Sequence, residues 1–67
     1  MALGKNIRKA RDAREWTLER LSAESGVDTG TISALENRDS SRSKYASAIA
    51  RGLGMTLEML EIGRAHV

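Results

Sequence analysis

Positively charged side chains are the residues of this chain whose types could most readily do chemistry. The chain carries 11 Lys and Arg among 67 residues, for a formal net charge of +2. Six of the eleven precede Ser22, and three more cluster at Arg38, Arg42 and Lys44. Clustered cations attract anionic partners such as nucleic-acid phosphates, and their distribution matters more than the total charge. The alternative is an ordinary solvated surface, since a polar stretch such as Asn37–Ser43 is also typical of a linker.

Catalytic residues do not form a recognisable constellation in this sequence. His66 is the only histidine and cysteine is absent, so there is no Cys-based metal site. The sequence has no glycine-rich phosphate loop and no hydrolase or metalloprotease motif. The carboxylates can be explained as helix caps, surface charges or ion pairs. We therefore expect no enzymatic activity, no metal and no cofactor.

Apolar residues recur at helical spacing in five segments, and the sequence contains no proline. The predicted helices are Leu3–Arg14, Leu18–Ser25, Thr29–Glu36, a fourth from Ser43 or Lys44 to Leu53, and a fifth carrying Leu57, Met59 and Leu60. Thr17, Asp28 and Thr56 are N-cap residue types that stand just before three of these helices. We therefore predict an all-α, compact five-helix bundle that forms one domain over residues 1–61.

The inward-facing residues of these helices define a predicted core. Its members are Leu3, Ile7, Ala10, Leu21, Ile32, Leu35, Ile49, Ala50 and Leu53. Trp16 is the only tryptophan, and we interpret it as a core anchor in preference to a side chain that stacks on a base. Gly52 lies inside the fourth helix, where it costs about 1 kcal/mol relative to alanine.

The second and third predicted helices are hinged at Ser25-Gly26-Val27, where Gly26 supplies the positive φ of a short turn. Two helices joined in this way form a helix-turn-helix, whose second helix enters the DNA major groove. The stretch Ser22–Glu36 reads SAESGVDTGTISALE and follows the pattern small-x-x-S-G-V-x-x-x-x-I-S-x-L-E. It resembles the lambda/434 repressor and Cro type of helix-turn-helix, the XRE family. The resemblance covers about Leu3–Leu60.

The resemblance implies a sequence-specific DNA-binding transcriptional regulator of the phage or prophage repressor type. Members of this family bind palindromic operators as homodimers on double-stranded DNA. Leu57 and Met59 are candidates for the dimer contact if they are exposed, and otherwise they complete the core. We expect a cytoplasmic, nucleoid-associated protein, because no apolar run approaches membrane-spanning length and the N-terminus is too polar for a signal peptide.

The resemblance also assigns roles to individual residues. Because Ile32 and Leu35 point inward, the base-facing residues of the third helix are predicted to be Thr29, Gly30, Ser33 and Ala34. The residues expected to bind phosphates are Arg11, Thr17, Leu18, Arg38, Arg42, Ser43, Lys44 and Tyr45. The family also has a largely buried ion pair at the positions of Arg11 and Glu36, which orients the third helix.

Several residues depart from the family pattern. Glu15 stands where glycine usually ends the first helix, and Asp28 stands where serine or threonine is usual. No predicted base-facing side chain can make a bidentate contact to guanine or adenine, so we expect specificity from apolar contacts, DNA shape and water. The alternative is a protein-interaction module that has kept the fold but lost tight DNA binding.

Residues 62–67 differ from the rest of the chain. They read Ile62-Gly63-Arg64-Ala65-His66-Val67, do not continue the helical pattern, and equal the translation of ATC GGA AGA GCA CAC GTC. This is a common sequencing-adapter sequence whose next triplet is a stop codon. We interpret the segment as a non-native tail from untrimmed adapter, the alternative being a genuine C-terminus that matches by chance. On this interpretation the domain is the N-terminal part of a longer repressor.

Overall fold

The computed structural model describes residues 3–38 and 44–62, and all its regular secondary structure there is helical. The helices are α1 Leu3–Ala13, α2 Leu18–Ser25, α3 Thr29–Arg38, α4 Ala46–Leu53 and α5 Leu57–Ile62. α1 packs against α3, α4 and α5, while α2 packs against α3 and α4. The predicted all-α, five-helix bundle is confirmed.

Side-chain caps fix where three of the helices begin. The Oγ1 atom of Thr17 accepts a hydrogen bond from the backbone N–H of Arg20 at 3.1 Å. Thr56 accepts from the N–H of Met59 at 3.0 Å in the same way, and Asp28 caps α3. Each cap satisfies a backbone donor that has no partner within its helix.

Residues in the left-handed backbone region end α1, α2 and α4. Gly26 has φ +78° and Gly54 has φ +74°, conformations that glycine adopts without steric cost. At the end of α1 the same position is held by Glu15, at φ +57°. The N–H of Glu15 donates to Asp12 O and that of Trp16 to Arg11 O, which are the two bonds of a Schellman motif. The departure noted at Glu15 is therefore a strained backbone within an otherwise regular helix end.

Every helix contributes to the core. The largest fully buried side chains are Leu3, Ile7, Leu21, Ile32, Ile49 and Leu60. Trp16, Leu18 and Leu35 are partly buried and pack against this cluster.

Four helix boundaries differ from those predicted. α1 ends at Ala13, one residue before the predicted Arg14. α3 continues past Glu36 to Arg38, because no helix-breaking residue follows Glu36. α4 begins at Ala46 instead of Ser43 or Lys44, since Tyr45 is its N-cap and accepts the N–H of Ile49 at 3.0 Å. Ile62, which the sequence pattern predicts to lie outside a helix, is the last residue of α5. Residues 63–67 lie outside the described part of the chain, and the proposed tail remains a prediction.

Gly52 allows α4 to approach the end of α2. A Cβ atom at this position would lie 2.7 Å from the Cα atom of Ser25 and 2.8 Å from its backbone nitrogen. Both are backbone atoms that cannot move without displacing α2. Glycine has a low helix propensity at this position, but it allows α4 and α2 to cross closely.

Replacing Gly52 by alanine tests this crossing. Alanine favours the helix by about 1 kcal/mol, but overpacking against Ser25 should cost about 1–3 kcal/mol. The free energy of unfolding should therefore fall by up to about 2 kcal/mol net. Urea unfolding followed by circular dichroism measures the change. Ser47→Ala, at an exposed position of the same helix, is the control and should leave the midpoint nearly unchanged. A higher midpoint for Gly52→Ala would show that the crossing is not constrained.

Replacing Glu15 by glycine should stabilise the protein. Relief of the left-handed backbone is worth about 1–2 kcal/mol, from which the greater freedom of glycine in the unfolded chain subtracts about 0.4–1 kcal/mol. Thermal unfolding should therefore show a higher midpoint. In the control variant Glu19→Gly the glycine enters the first turn of α2, where it should lower the midpoint. Equal shifts in both variants would contradict the strain at Glu15.

Candidate nucleic-acid interface

α3 presents a surface of short side chains away from the core. Ile32 is fully buried and holds the inner side of the helix. Gly30 is exposed, and Thr29, Ser33 and Ala34 are half-buried. None of the four residues predicted to face bases is fully buried in the core. This surface can come close to a partner backbone because its predicted members are no larger than threonine.

The carboxylate of Asp28 caps the first turn of α3. The Oδ2 atom of Asp28 accepts hydrogen bonds from the N–H groups of Gly30 at 2.9 Å and Thr31 at 3.3 Å. A Cβ atom on Gly30 would lie 2.8 Å from this oxygen. The carboxylate is favoured by the positive end of the helix dipole. It therefore occupies the donors that the helix could otherwise offer to a phosphate.

The last turns of α3 are anchored to α1 by a bidentate ion pair. The Nε and Nη2 atoms of Arg11 donate to the two carboxylate oxygens of Glu36 at 2.9 and 3.0 Å. The side chains of Arg11 and Glu36 are only 13% and 6% exposed. The hydrogen bond to Glu36 raises the pKa of Arg11 above its ordinary value, although burial opposes the increase. The guanidinium therefore stays charged throughout the neutral range.

Arg11 also fixes the turn between α1 and α2. Its Nη1 atom donates to the backbone carbonyl of Trp16 at 2.8 Å. The three bonds to Glu36 and Trp16 use three of the five guanidinium N–H groups. Nη1 also lies 3.7 Å from Oδ1 of Asp12, so a phosphate that approached the two remaining N–H groups would meet this carboxylate.

The start of α2 forms one flank of the candidate interface. Thr17 is exposed, and its hydroxyl oxygen is used as the N-cap. Leu18 packs partly against the core, so a contact to phosphate would have to come from its backbone N–H. The guanidinium of Arg20 lies 4.8 Å from the centre of the Trp16 ring, which itself packs against the core. The geometry favours Trp16 as an anchor over a base-stacking role.

The other flank follows α3. Arg38 is exposed in the last turn of the helix, and Lys44 and Tyr45 are exposed in the turn before α4. The ammonium of Lys44 lies 5.4 Å from the centre of the Tyr45 ring. Tyr45 is the N-cap residue of α4, but its side chain accepts no hydrogen bond from the first N–H groups of the helix. Arg42 and Ser43, both predicted to bind phosphates, lie outside the described residues.

Asn37, which is not among the predicted site residues, lies on the exposed side of α3. The sequence predicts a polar linker at this position, whereas the residue is exposed on the last turn of α3. Its Nδ2 atom donates to the Oγ atom of Ser33 at 3.4 Å. The spacing of four residues between the two polar side chains was the available signal, provided that the helix was known to continue.

Over residues 3–38 and 44–62 there is no group of His, Asp and Glu side chains that could hold a metal ion. No helix in the same ranges has the length and apolar character needed to cross a membrane.

Removing Arg11 should destabilise the fold by leaving Glu36 buried and unpaired. Arg11→Ala should lower the free energy of unfolding by about 3 kcal/mol, whereas the apolar pair Arg11→Met with Glu36→Leu should recover most of that loss. Since the folded-state pKa of Arg11 is raised, the loss should be constant between about pH 7 and 9 and disappear only as pH rises through that pKa. Chemical unfolding at several pH values measures it.

The control for this series is Arg8→Ala. Arg8 lies 3.9 Å from Asp12 in an exposed pair, and exposed pairs contribute little. If the double apolar variant were as unstable as Arg11→Ala, the unpaired carboxylate would not be the cause.

Comparison with known proteins identifies the family of this chain. A helix-turn-helix family model matches residues 7–60, which contain α2, α3 and both partners of the Arg11–Glu36 pair. Comparisons with curated proteins and with solved structures returned no match. The chain therefore belongs to the XRE-type helix-turn-helix family, whose members are DNA-binding regulators.

Proposed function

We propose that this protein is a sequence-specific transcriptional regulator of the phage or prophage repressor type, which inserts α3 into the major groove of its operator. The observation that carries the proposal is the way α3 is held. Ile32 is buried beneath it, Asp28 caps its start, and Glu36 fixes its last turns to Arg11. A helix fixed at three points can present one face to DNA at a defined angle.

Base contacts would come from Thr29, Gly30, Ser33 and Ala34. The hydroxyls of Thr29 and Ser33 can each make a single hydrogen bond to a base edge. The methyl groups of Thr29 and Ala34 can contact a thymine methyl. Gly30 would let the backbone approach closely. With these contacts alone, specificity would depend strongly on DNA shape and bridging water.

Phosphate contacts would come from both flanks. Arg38 is exposed in the last turn of α3, and Lys44 and Tyr45 are exposed in the turn before α4. Arg42 and Ser43 are assigned to the same flank by family resemblance. On the other side lie the Thr17 hydroxyl, the N–H of Leu18 and the two remaining N–H groups of Arg11. Asp28 would oppose these contacts, because its carboxylate lies at the end of α3 that approaches DNA.

A homodimer on a palindromic operator is part of the proposal. Leu57 on α5 is 38% exposed, and Met59 on the same helix is half-buried. Leu57 is therefore available for a dimer contact, and the exposed part of Met59 is available beside it. We propose that the protein acts on DNA in the cytoplasm.

A protein-interaction module is the second candidate function. The Asp28 carboxylate at the start of α3 and the short side chains of its outer face favour it, because both weaken the attraction to DNA. A titration against random duplex at two salt concentrations separates the two functions. DNA binding requires a steep loss of affinity with salt, whereas no binding at low salt would refute the proposed function and favour the module.

Two single substitutions test the division between phosphate and base contacts. Lys44→Ala should weaken binding to every sequence and reduce the slope of log affinity against log salt by about 0.9, the contribution of one phosphate. Thr29→Ala should change the preferred sequence while the slope stays constant. Fluorescence anisotropy with a set of duplexes measures both quantities. If the two variants behaved alike on all duplexes, the division of contacts would be wrong.

A further inference from the structure

We infer that Asp28 is a specificity-determining residue that selects a cytosine in the major groove, an inference that rests on the proposed function. Its carboxylate caps α3, is exposed, and is absent from the set of side chains predicted to face bases. Three features support the inference: where the carboxylate lies, which of its oxygens is left for a ligand, and which bases an anion can approach.

The carboxylate lies against a residue that is predicted to face bases. A Cβ atom on Gly30 would lie 2.8 Å from Asp28 Oδ2, the oxygen that accepts the Gly30 N–H at 2.9 Å. Gly30 is exposed and has no side chain that could hold a base edge away. In a helix-turn-helix the N-terminal residues of the recognition helix contact base edges. A base edge that reaches the backbone at Gly30 therefore also meets the Asp28 carboxylate.

The capping bonds use one carboxylate oxygen and leave the other for a ligand. Oδ2 accepts the N–H groups of both Gly30 and Thr31. Within residues 3–38 and 44–62, Oδ1 takes part in no hydrogen bond or ion pair. Because the cap already orders the side chain, little conformational entropy is lost when Oδ1 binds a donor. The first turn of α3 therefore presents an oriented acceptor beside Gly30.

An oriented carboxylate discriminates among the edges of the four bases. It can only accept hydrogen bonds, so the O6 and N7 atoms of guanine and the O4 atom of thymine repel it. Adenine has an N6 donor, but its N7 acceptor lies beside that donor. Cytosine has an N4 donor and no acceptor on its major-groove edge. Cytosine is therefore the base that Oδ1 matches best.

The charge of Asp28 also lowers the affinity for unselected DNA. Phosphates line the groove at every sequence, so they repel the carboxylate whichever base it meets. A cytosine N4–H offsets part of that repulsion through a charge-assisted hydrogen bond, whereas guanine and thymine offer no donor. Asp28 should therefore increase the ratio of specific to non-specific affinity more than it increases affinity itself.

The test selects sites from a random duplex pool for the wild-type chain, Asp28→Asn and Asp28→Ser. The wild-type site should contain one C·G pair whose replacement lowers affinity about 5- to 150-fold. In Asp28→Asn the amide oxygen keeps the cap and the amino group takes the place of Oδ1. The preference at that pair should then change to guanine or thymine, which present acceptors. Asp28→Ser should lose the preference and bind unselected duplex more tightly than the wild type.

Asparagine and serine are both good N-cap residues, so thermal unfolding should show that each variant retains the fold. Glu19→Gln is the charge-matched control, because Glu19 is exposed in the first turn of α2. It removes one negative charge and should leave the selected sequence unchanged.

Two results would overturn the inference and leave the proposed function standing. One is a wild-type site at which no C·G pair matters. The other is selection of the wild-type sequence by both Asp28 variants with affinity raised alike on all duplexes, which would make Asp28 only a cap and a repulsive charge. Failure of the wild type to bind any duplex at low salt would instead refute the proposed function, and this inference with it.

Discussion

The guanidinium of Arg11 is the interaction on which the arrangement of the candidate interface depends. One side chain from α1 bonds both carboxylate oxygens of Glu36 in α3 and the carbonyl of Trp16 in the turn before α2. The planar fork of arginine can satisfy these directions together, whereas lysine offers a single charged point. The inter-helix turn and α3 therefore keep a fixed relation to α1. In this bundle an ion pair sets the angle of a surface helix, while apolar packing at Ile32 sets its depth.

The beginnings and ends of most helices could be predicted from sequence because local chemistry determines them. Thr17, Asp28 and Thr56 form their caps through bonds within a single turn. Gly26 and Gly54 adopt positive φ where the apolar pattern stops. The boundaries around residues 37–45 were harder, because polar residues there neither break a helix nor pack in a core. The role of Gly52 depends on a contact with α2, and no pattern within α4 could reveal it.

In the candidate site too, local sequence predicts some features, while others depend on contacts that only the structure shows. The positions of Thr29, Gly30, Ser33 and Ala34 follow from the inward direction of Ile32 and Leu35, so periodicity alone indicates which residues turn outward. The position of Asn37 on that face could not be predicted, because it depends on the continuation of α3 beyond Glu36. The hydrogen-bond partners of the charged side chains could also be identified only from the structure. Neither the engagement of three Arg11 donors nor the placement of the Asp28 carboxylate over Gly30 can be deduced from residue type.

The short side chains of α3 have a consequence for the entropy of association. Glycine and alanine have no rotamers to lose, and the small hydroxyl side chains of Thr29 and Ser33 have few. Long side chains immobilised at an interface each cost about 0.5–1.5 kcal/mol of ordering. The four small residues Thr29, Gly30, Ser33 and Ala34 therefore have little side-chain entropy to lose on binding. Most of the conformational adjustment needed for a close fit must therefore be made by the molecule that binds to this face.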